Sequence, residues 1–162
     1  MFCSLPARIV IATMPDRFTI RAAAYLLLIK DNKVLLLRRF NTGWSDGMYT
    51  LAAGHLEEGE PVTAAMSREA KEEIGITINP ADLHVVHVAH RNSATNYIDF
   101  YFTVSAWQGE PVNAEPDHCD DVQWFPLDAL PANILPNVYD AITHYQAGEH
   151  FSELGWDGPI AA

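Results

Sequence analysis

Two kinds of apolar pattern alternate along this chain. Over residues 18–30, FTIRAAAYLLLIK, and Lys33–Arg39, KVLLLRR, apolar positions are nearly continuous and only Asp31-Asn32 interrupts them. A two-residue polar turn between apolar runs predicts a β-hairpin. Unbroken aliphatic character predicts strands buried on both faces, as in a sheet covered by helices on each side. Residues 40–48, with two glycines among Asn, Ser and Asp, predict a loop. Residues 49–53 predict a short strand, as do 82–90, 97–107 and 122–126. A helical period holds instead over 61–74 and over 136–147, where Val138, Ala141, Ile142 and Tyr145 share one face. The expected fold class is α/β, with a mixed sheet between helices. Residues 18–147 make the domain, 1–17 an N-terminal extension, and 148–162 a tail that packs on the domain or on a second subunit through Phe151 and Trp156.

The helix over 61–74 carries the chemistry. Pro61 suits its start, where a missing N–H costs nothing, and Gly75 suits its end. At about 100° per residue, Glu69, Glu72 and Glu73 share an arc of roughly 100°. That arc lies over Val62, Ala65 and Met66, opposite Ser67 and Lys71, so it turns toward the protein. Three carboxylates crowded there repel one another and resist desolvation unless cations neutralise them. Hard ions with oxygen ligands, Mg²⁺ or Mn²⁺, meet that need. An ordinary acidic helix with a solvated face is the alternative reading of the same residues.

Composition narrows the classes. A chain of 162 residues that is 49% hydrophobic fits one domain with a sizeable core. A net charge of −11 with no basic stripe argues against nucleic acid as a partner. Cys3 and Cys119 have neither metal-ligand spacing nor disulfide density, which points to a reducing cytoplasm. No apolar run is long enough to span a membrane, and residues 1–13 lack the basic start of a signal peptide. Met14 is an alternative first residue. His84, His87 and His90 recur every third position, but strand alternation turns His87 away from the other two.

The segment from Gly54 to Ile76, GHLEEGEPVTAAMSREAKEEIGI, resembles the signature of the Nudix hydrolase family at Gly54, Glu60, Arg68, Glu69, Glu72, Glu73, Gly75 and Ile76. The resemblance extends over residues 18–147 and implies that family's α/β/α sandwich. It also implies metal-dependent hydrolysis of the pyrophosphate linkage of a nucleoside diphosphate joined to another group. By the same resemblance Glu69, Glu72, Glu73 and the Ala53 carbonyl hold Mg²⁺ or Mn²⁺, and Arg68 fixes carboxylate rotamers. Glu60 supports that arrangement or assists proton transfer. Gly54 and Gly75 are the structural turns of the motif. The chain is similar to MutT-type members at Arg39, a substrate contact there; at Glu115, an additional metal ligand; and at Asn133, a purine reader. Where many relatives have Pro-Gly-Gly, this chain has Ala52-Ala53-Gly54. Trp44 is a rim aromatic or a core cover, and His90 or Arg91 at a strand end is a candidate substrate contact.

Residues 90–94, His-Arg-Asn-Ser-Ala, lack the proline or tyrosine of the ADP-ribose and dinucleoside polyphosphate subgroups. A nucleoside triphosphate, including an oxidised purine one, is therefore the first expectation, with ADP-ribose or a nucleotide sugar second. A Nudix-fold binding module without catalysis and an acidic adaptor are the alternatives of other classes. A homodimer is a further expectation from the resemblance.

Overall fold

A computed structural model describes residues 18–157; the extension over 1–17, with Cys3 and Met14, and the end of the tail lie outside them. The described chain forms β1 (Arg21–Leu26), β2 (Ile29–Lys30), β3 (Lys33–Arg39), β4 (Tyr49–Thr50), β5 (Ala52–His55), α1 (Val62–Ile74), β6 (Leu83–Arg91), β7 (Tyr97–Val104), β8 (Cys119–Pro126), α2 (Pro136–Ala147) and β9 (Phe151–Leu154). A five-stranded mixed sheet has the order β5-β1-β7-β6-β9, with β1/β7 and β6/β9 parallel. A second, four-stranded antiparallel sheet is built on β3, which pairs with β2, β4 and β8.

The expected single sheet is thus two sheets, and two chain segments cross from one to the other. The Leu27 N–H donates to Phe102 C=O in the first sheet, while Leu28 C=O accepts from Leu35 N–H in the second. The segment read as one strand over 49–53 divides in the same way, Thr50 pairing with β3 and Ala52 with β1. Asp31 and Asn32 both take positive φ, the conformation a tight hairpin turn requires.

Alternation of buried residues explains the near-continuous apolar runs. Leu26, Leu28, Leu35 and Leu37 enter a core closed by Met66, Ala70 and Ile74 of α1. Leu27, Val34 and Leu36 enter a second core closed by Val138, Ala141 and Ile142 of α2. Both faces are therefore apolar, and each helix covers one. The helix α1 lies on β5 and β1 and ends at Gly75, whose φ of 71° brings its own N–H to the Lys71 carbonyl and the Ile76 N–H to the Ala70 carbonyl.

The approach of α1 to β5 is close enough to need a glycine. A Cβ built on Gly54 would stand 1.8 Å from Oε1 of Glu69. Only a residue without a side chain leaves the Glu69 carboxylate where it is.

Residues 151–154 of the tail add the edge strand β9 to β6. His87, 1% exposed, links the two: its ring nitrogens lie 2.9 Å from Glu149 C=O and 2.9 Å from Ser152 Oγ. A neutral ring meets both partners, with one N–H donating to the carbonyl and the other nitrogen accepting the hydroxyl. The alternation expected of the three histidines is interrupted by a register shift between Val85 and His87, so that His84 and His87 pair with Thr103 and Tyr101, two apart on β7; His84 is exposed and His87 buried. The Trp156 N–H donates to His90 C=O at 3.0 Å, holding the residues beyond the strand.

Burial, with the His144 charge beside it, lowers the His87 pKa below its usual value. Below about pH 6.5 the unfolded chain then binds a proton that the folded chain refuses, so stability falls with pH until the folded His87 itself titrates. Equilibrium urea unfolding checks this. Between pH 6.5 and the folded pKa the His87 contribution has a slope of at most about 1.4 kcal/mol per pH unit, and His87→Gln should lack it. An identical pH dependence in wild type and variant would remove His87 as the cause.

Candidate active site

The acidic face of α1 is organised by Arg68. Its Nε and Nη2 each donate to Glu60 at 3.0 Å, its Nη1 to Glu69 at 2.6 Å and to Glu72 at 3.2 Å, and Nη2 also reaches His55 C=O at 3.2 Å. One half-buried guanidinium therefore gathers the loop before α1, two turns of α1 and the end of β5. The hydrogen bonds from Arg68 hold Glu60 below the usual carboxylate range.

Glu73 lies outside this cluster. Its Oε2 accepts from Ala53 N–H at 2.8 Å. Burial pushes the Glu73 carboxyl up to about 8, Glu69 and Glu115 pushing in the same direction while the Ala53 N–H and Arg39 oppose them. Burial also raises Glu69, against the pull of Arg68. Two acids of one helix face are thus held where neutrality or a cation suits them better than bare charge.

Among the described residues no three acidic, histidine or cysteine groups converge tightly enough to hold an ion as they stand. The reason is visible in the contacts: Glu69 and Glu72 turn to Arg68, and Glu73 turns to a backbone amide. The donor set still fits a hard divalent cation, since it is all oxygen and acidic. Glu69 and Glu72 would have to exchange Arg68 for the ion.

Glu115 stands on the other side of Glu73. Both line a small cavity of about 70 Å³ with Arg39, Thr42, Thr50, His118 and Cys119. Arg39 is fixed by neutral partners, its Nε donating to Trp44 C=O and its Nη2 to Thr42 Oγ1, both at 2.9 Å. Its guanidinium lies 4.9 Å from the centre of the Trp44 ring. The neighbouring Arg38 lines the same cavity but pairs with Asp120 at 2.7 Å, and a register shift between Arg38 and Arg39 interrupts the strand alternation there.

A larger cleft of about 530 Å³ opens from Glu73, Ala53 and Gly54. Arg39 and Trp44 line it on one side, Arg91 and Tyr97 on another, and Asn137 lines it from the start of α2. The structure does not bring Asn133 there. The Asn133 amide donates to Gly47 C=O at 2.7 Å, and its own C=O accepts from Tyr49 N–H at 2.7 Å, so it braces the loop over 40–48. Asn137, four residues further on, occupies the cleft instead.

Sequence reasoning also passed over Asp99 and Tyr97. The available signal was Asp99, the one acid in the strand YIDFYFTV, which is fully buried against Arg91 of the antiparallel neighbour β6.

Comparison with known proteins agrees with this architecture. The model of the NUDIX domain family matches residues 19–145. The chain is 28% identical over 107 residues to the NAD-capped RNA hydrolase NudC of Stutzerimonas stutzeri (strain A1501), covering 66% of this chain and 37% of that protein. It is 32% identical over 106 residues to an ADP-ribose pyrophosphatase of Methanocaldococcus jannaschii, covering 65% of this chain and 61% of that one. The chain thus spans little more than a third of the length of its NudC relative. Among solved structures, a MutT NUDIX hydrolase from Burkholderia pseudomallei superposes with a TM-score of 0.71 at 26% identity, covering 77% of this chain and 97% of that one. A family model matching most of the chain, a MutT-type structure on the same α/β frame, and an acidic helix held in place by its own arginine place this chain in the NUDIX hydrolase family.

Proposed function

We propose that this protein hydrolyses a phosphoanhydride bond of a nucleoside diphosphate derivative in a reaction that depends on Mg²⁺ or Mn²⁺. The observation that carries this reading is that Glu73, from the acidic face of α1, stands with Arg39 in the lining of a nucleotide-sized cleft. Glu69, Glu72, Glu73 and the Ala53 carbonyl would hold the cation, with Glu115 as an additional ligand from the opposite side. When bound, such an ion neutralises phosphate charge and lowers the pKa of water at the site.

The chain's own groups supply the rest. Arg68 keeps Glu60 in place through both nitrogen contacts and limits the rotamers open to Glu69 and Glu72, so ligand geometry is set before substrate arrives. Arg39 has no carboxylate within ion-pair distance among the described residues, so its charge is free for a phosphate oxygen. Glu72, Glu73 and Glu115 are the candidates for the general base.

For the group carried by the nucleotide, a nucleoside triphosphate, including an oxidised purine, is the first choice. ADP-ribose or a related NAD-type end is the second, favoured by the names of the S. stutzeri and M. jannaschii relatives. The relative named for capped RNA also brings an RNA end into the panel, despite this chain's acidic charge.

Product release from a panel of these compounds should require added Mg²⁺, stop with a chelator and resume when the ion is restored, while the far-ultraviolet circular dichroism stays constant. Glu72→Gln and Glu73→Gln should each lower turnover by several powers of ten without a change in fold; near-normal rates in both would refute the assignment. Gly54→Ala should fold, because the atoms it meets are the mobile end of Glu69, yet displacing that carboxylate should cost roughly tenfold or more in kcat/KM. An unchanged rate in Gly54→Ala would mean that Glu69 does not need its observed place. A panel with no turnover and no Mg²⁺ binding would favour a binding module instead.

A further inference from the structure

The far wall of the cleft carries a second guanidinium whose setting differs from that of Arg39. Arg91 Nε donates to Asp99 Oδ2 at 2.6 Å and Nη2 to Asp99 Oδ1 at 3.3 Å. Asp99 is 0% exposed, so this is an interior pair, and its net charge is zero. Arg91 lines the cleft beside Tyr25, whose hydroxyl meets the same guanidinium, and Asp99 and Tyr25 together leave part of its five N–H donors unused. One face of the guanidinium rests on Tyr97, 4.3 Å from the ring centre, and His55 lies at 5.8 Å on the same ring.

These facts separate the two arginines chemically. Arg39, with neutral hydrogen-bond partners and no ion pair among the described residues, suits a phosphate. Arg91, already neutralised by Asp99, gains little from a second anion but still offers N–H donors. A neutral carbonyl oxygen satisfies those donors without adding charge to the interior. A flat group hydrogen-bonded edge-on to Arg91 shares the guanidinium plane, which Tyr97 supports from below, and so lies beside that ring. Asn137, half-buried in the same cleft, has an amide with no hydrogen-bonded partner among the described residues and can both donate and accept.

We propose that Arg91 and Tyr97, with Asp99 as the positioning residue, form the wall that selects the substrate's planar end group, and that it favours a base bearing an exocyclic carbonyl, such as guanine, over adenine. Adenine presents an amino group where guanine presents O6, so against the donors of Arg91 it meets N–H with N–H. The proposal rests on the nucleotide reading of the cleft. It gives that cleft a direction, with phosphates at Glu73 and Arg39 and the base at Arg91.

Two measurements test it. The first needs neither metal nor turnover: GMP and AMP are titrated into wild type, Arg91→Met and Tyr97→Leu in the presence of a chelator, and binding is followed by NMR. Wild type should bind GMP roughly tenfold or more tighter than AMP, the worth of one hydrogen bond to a charged group. Arg91→Met should erase that difference, and Tyr97→Leu should weaken both ligands. Because Arg91→Met strands Asp99 in the interior, Tyr97→Leu, which leaves the pair intact, keeps the test valid if the first variant does not fold. Equal affinity of wild type for GMP and AMP, or unchanged binding in Tyr97→Leu, overturns the proposal.

The second measurement compares kcat/KM with Mg²⁺ for a guanosine diphosphate sugar and for a base-free ribose pyrophosphate. The loss in Tyr97→Leu should be at least several-fold larger for the nucleotide and reside in KM; equal losses overturn the base assignment while leaving the hydrolytic reading intact. If wild type cleaves neither compound, the hydrolytic reading is decided by the wider panel of nucleotides, and the metal-free titration still decides whether the wall selects a base.

Discussion

Arg68 is the interaction on which the rest of the site depends. A guanidinium has five N–H donors, and here all five are used, two on Glu60, one each on Glu69 and Glu72, and one on the His55 carbonyl. Without that fork, three carboxylates on adjoining turns and a nearby loop would repel one another at a half-buried surface. A lysine could match the charge but not the geometry, since one ammonium cannot meet two oxygens of Glu60 while bridging two further acids. The same side chain also ties α1 to β5, so the acidic helix and the strand that contains Ala53 and Gly54 keep one relative position.

The cleft has a chemical gradient that follows from which charges are compensated. Near α1 the acids outnumber the cations, and Arg39 remains free to oppose them. Near β6 and β7 the charges cancel within the Arg91 and Asp99 pair, and aromatic surface takes over at Tyr97. Net charge over the whole chain, −11, describes none of this, because most of its 21 acids lie away from the cleft, whose lining includes Glu73.

Much of this was legible in the chain itself, and the parts that were not share a cause. The α1 boundaries follow from Pro61 and Gly75, and its acidic face follows from spacing, because both are local properties of a helix. The division of one apolar run between two sheets was not legible. Leu27 and Leu28 are both buried, and no polar or glycine residue marks the crossing. The likeness at 131–133 led to Asn133, yet where an amide points depends on how the loop meets β4, and that contact spans 86 residues. Arg91 could be flagged as a strand end, but its partner Asp99 is set by antiparallel pairing across a loop, which only the folded register supplies.

The pairing of β6 with β9 bears on the order in which the molecule assembles. His87 is separated by 62 residues from the Glu149 carbonyl and by 65 from the Ser152 hydroxyl that satisfy it. Until α2 has packed and the segment after it has returned, the outer edge of β6 has open N–H and C=O groups and an unsatisfied interior histidine. Long-range closures of this kind come late and slowly, because loop entropy must be overcome before the contact forms. During synthesis α1 and its arginine can therefore be in place while one side of the sheet is still an open template for another chain, and arrival of the tail is the event that ends that exposure.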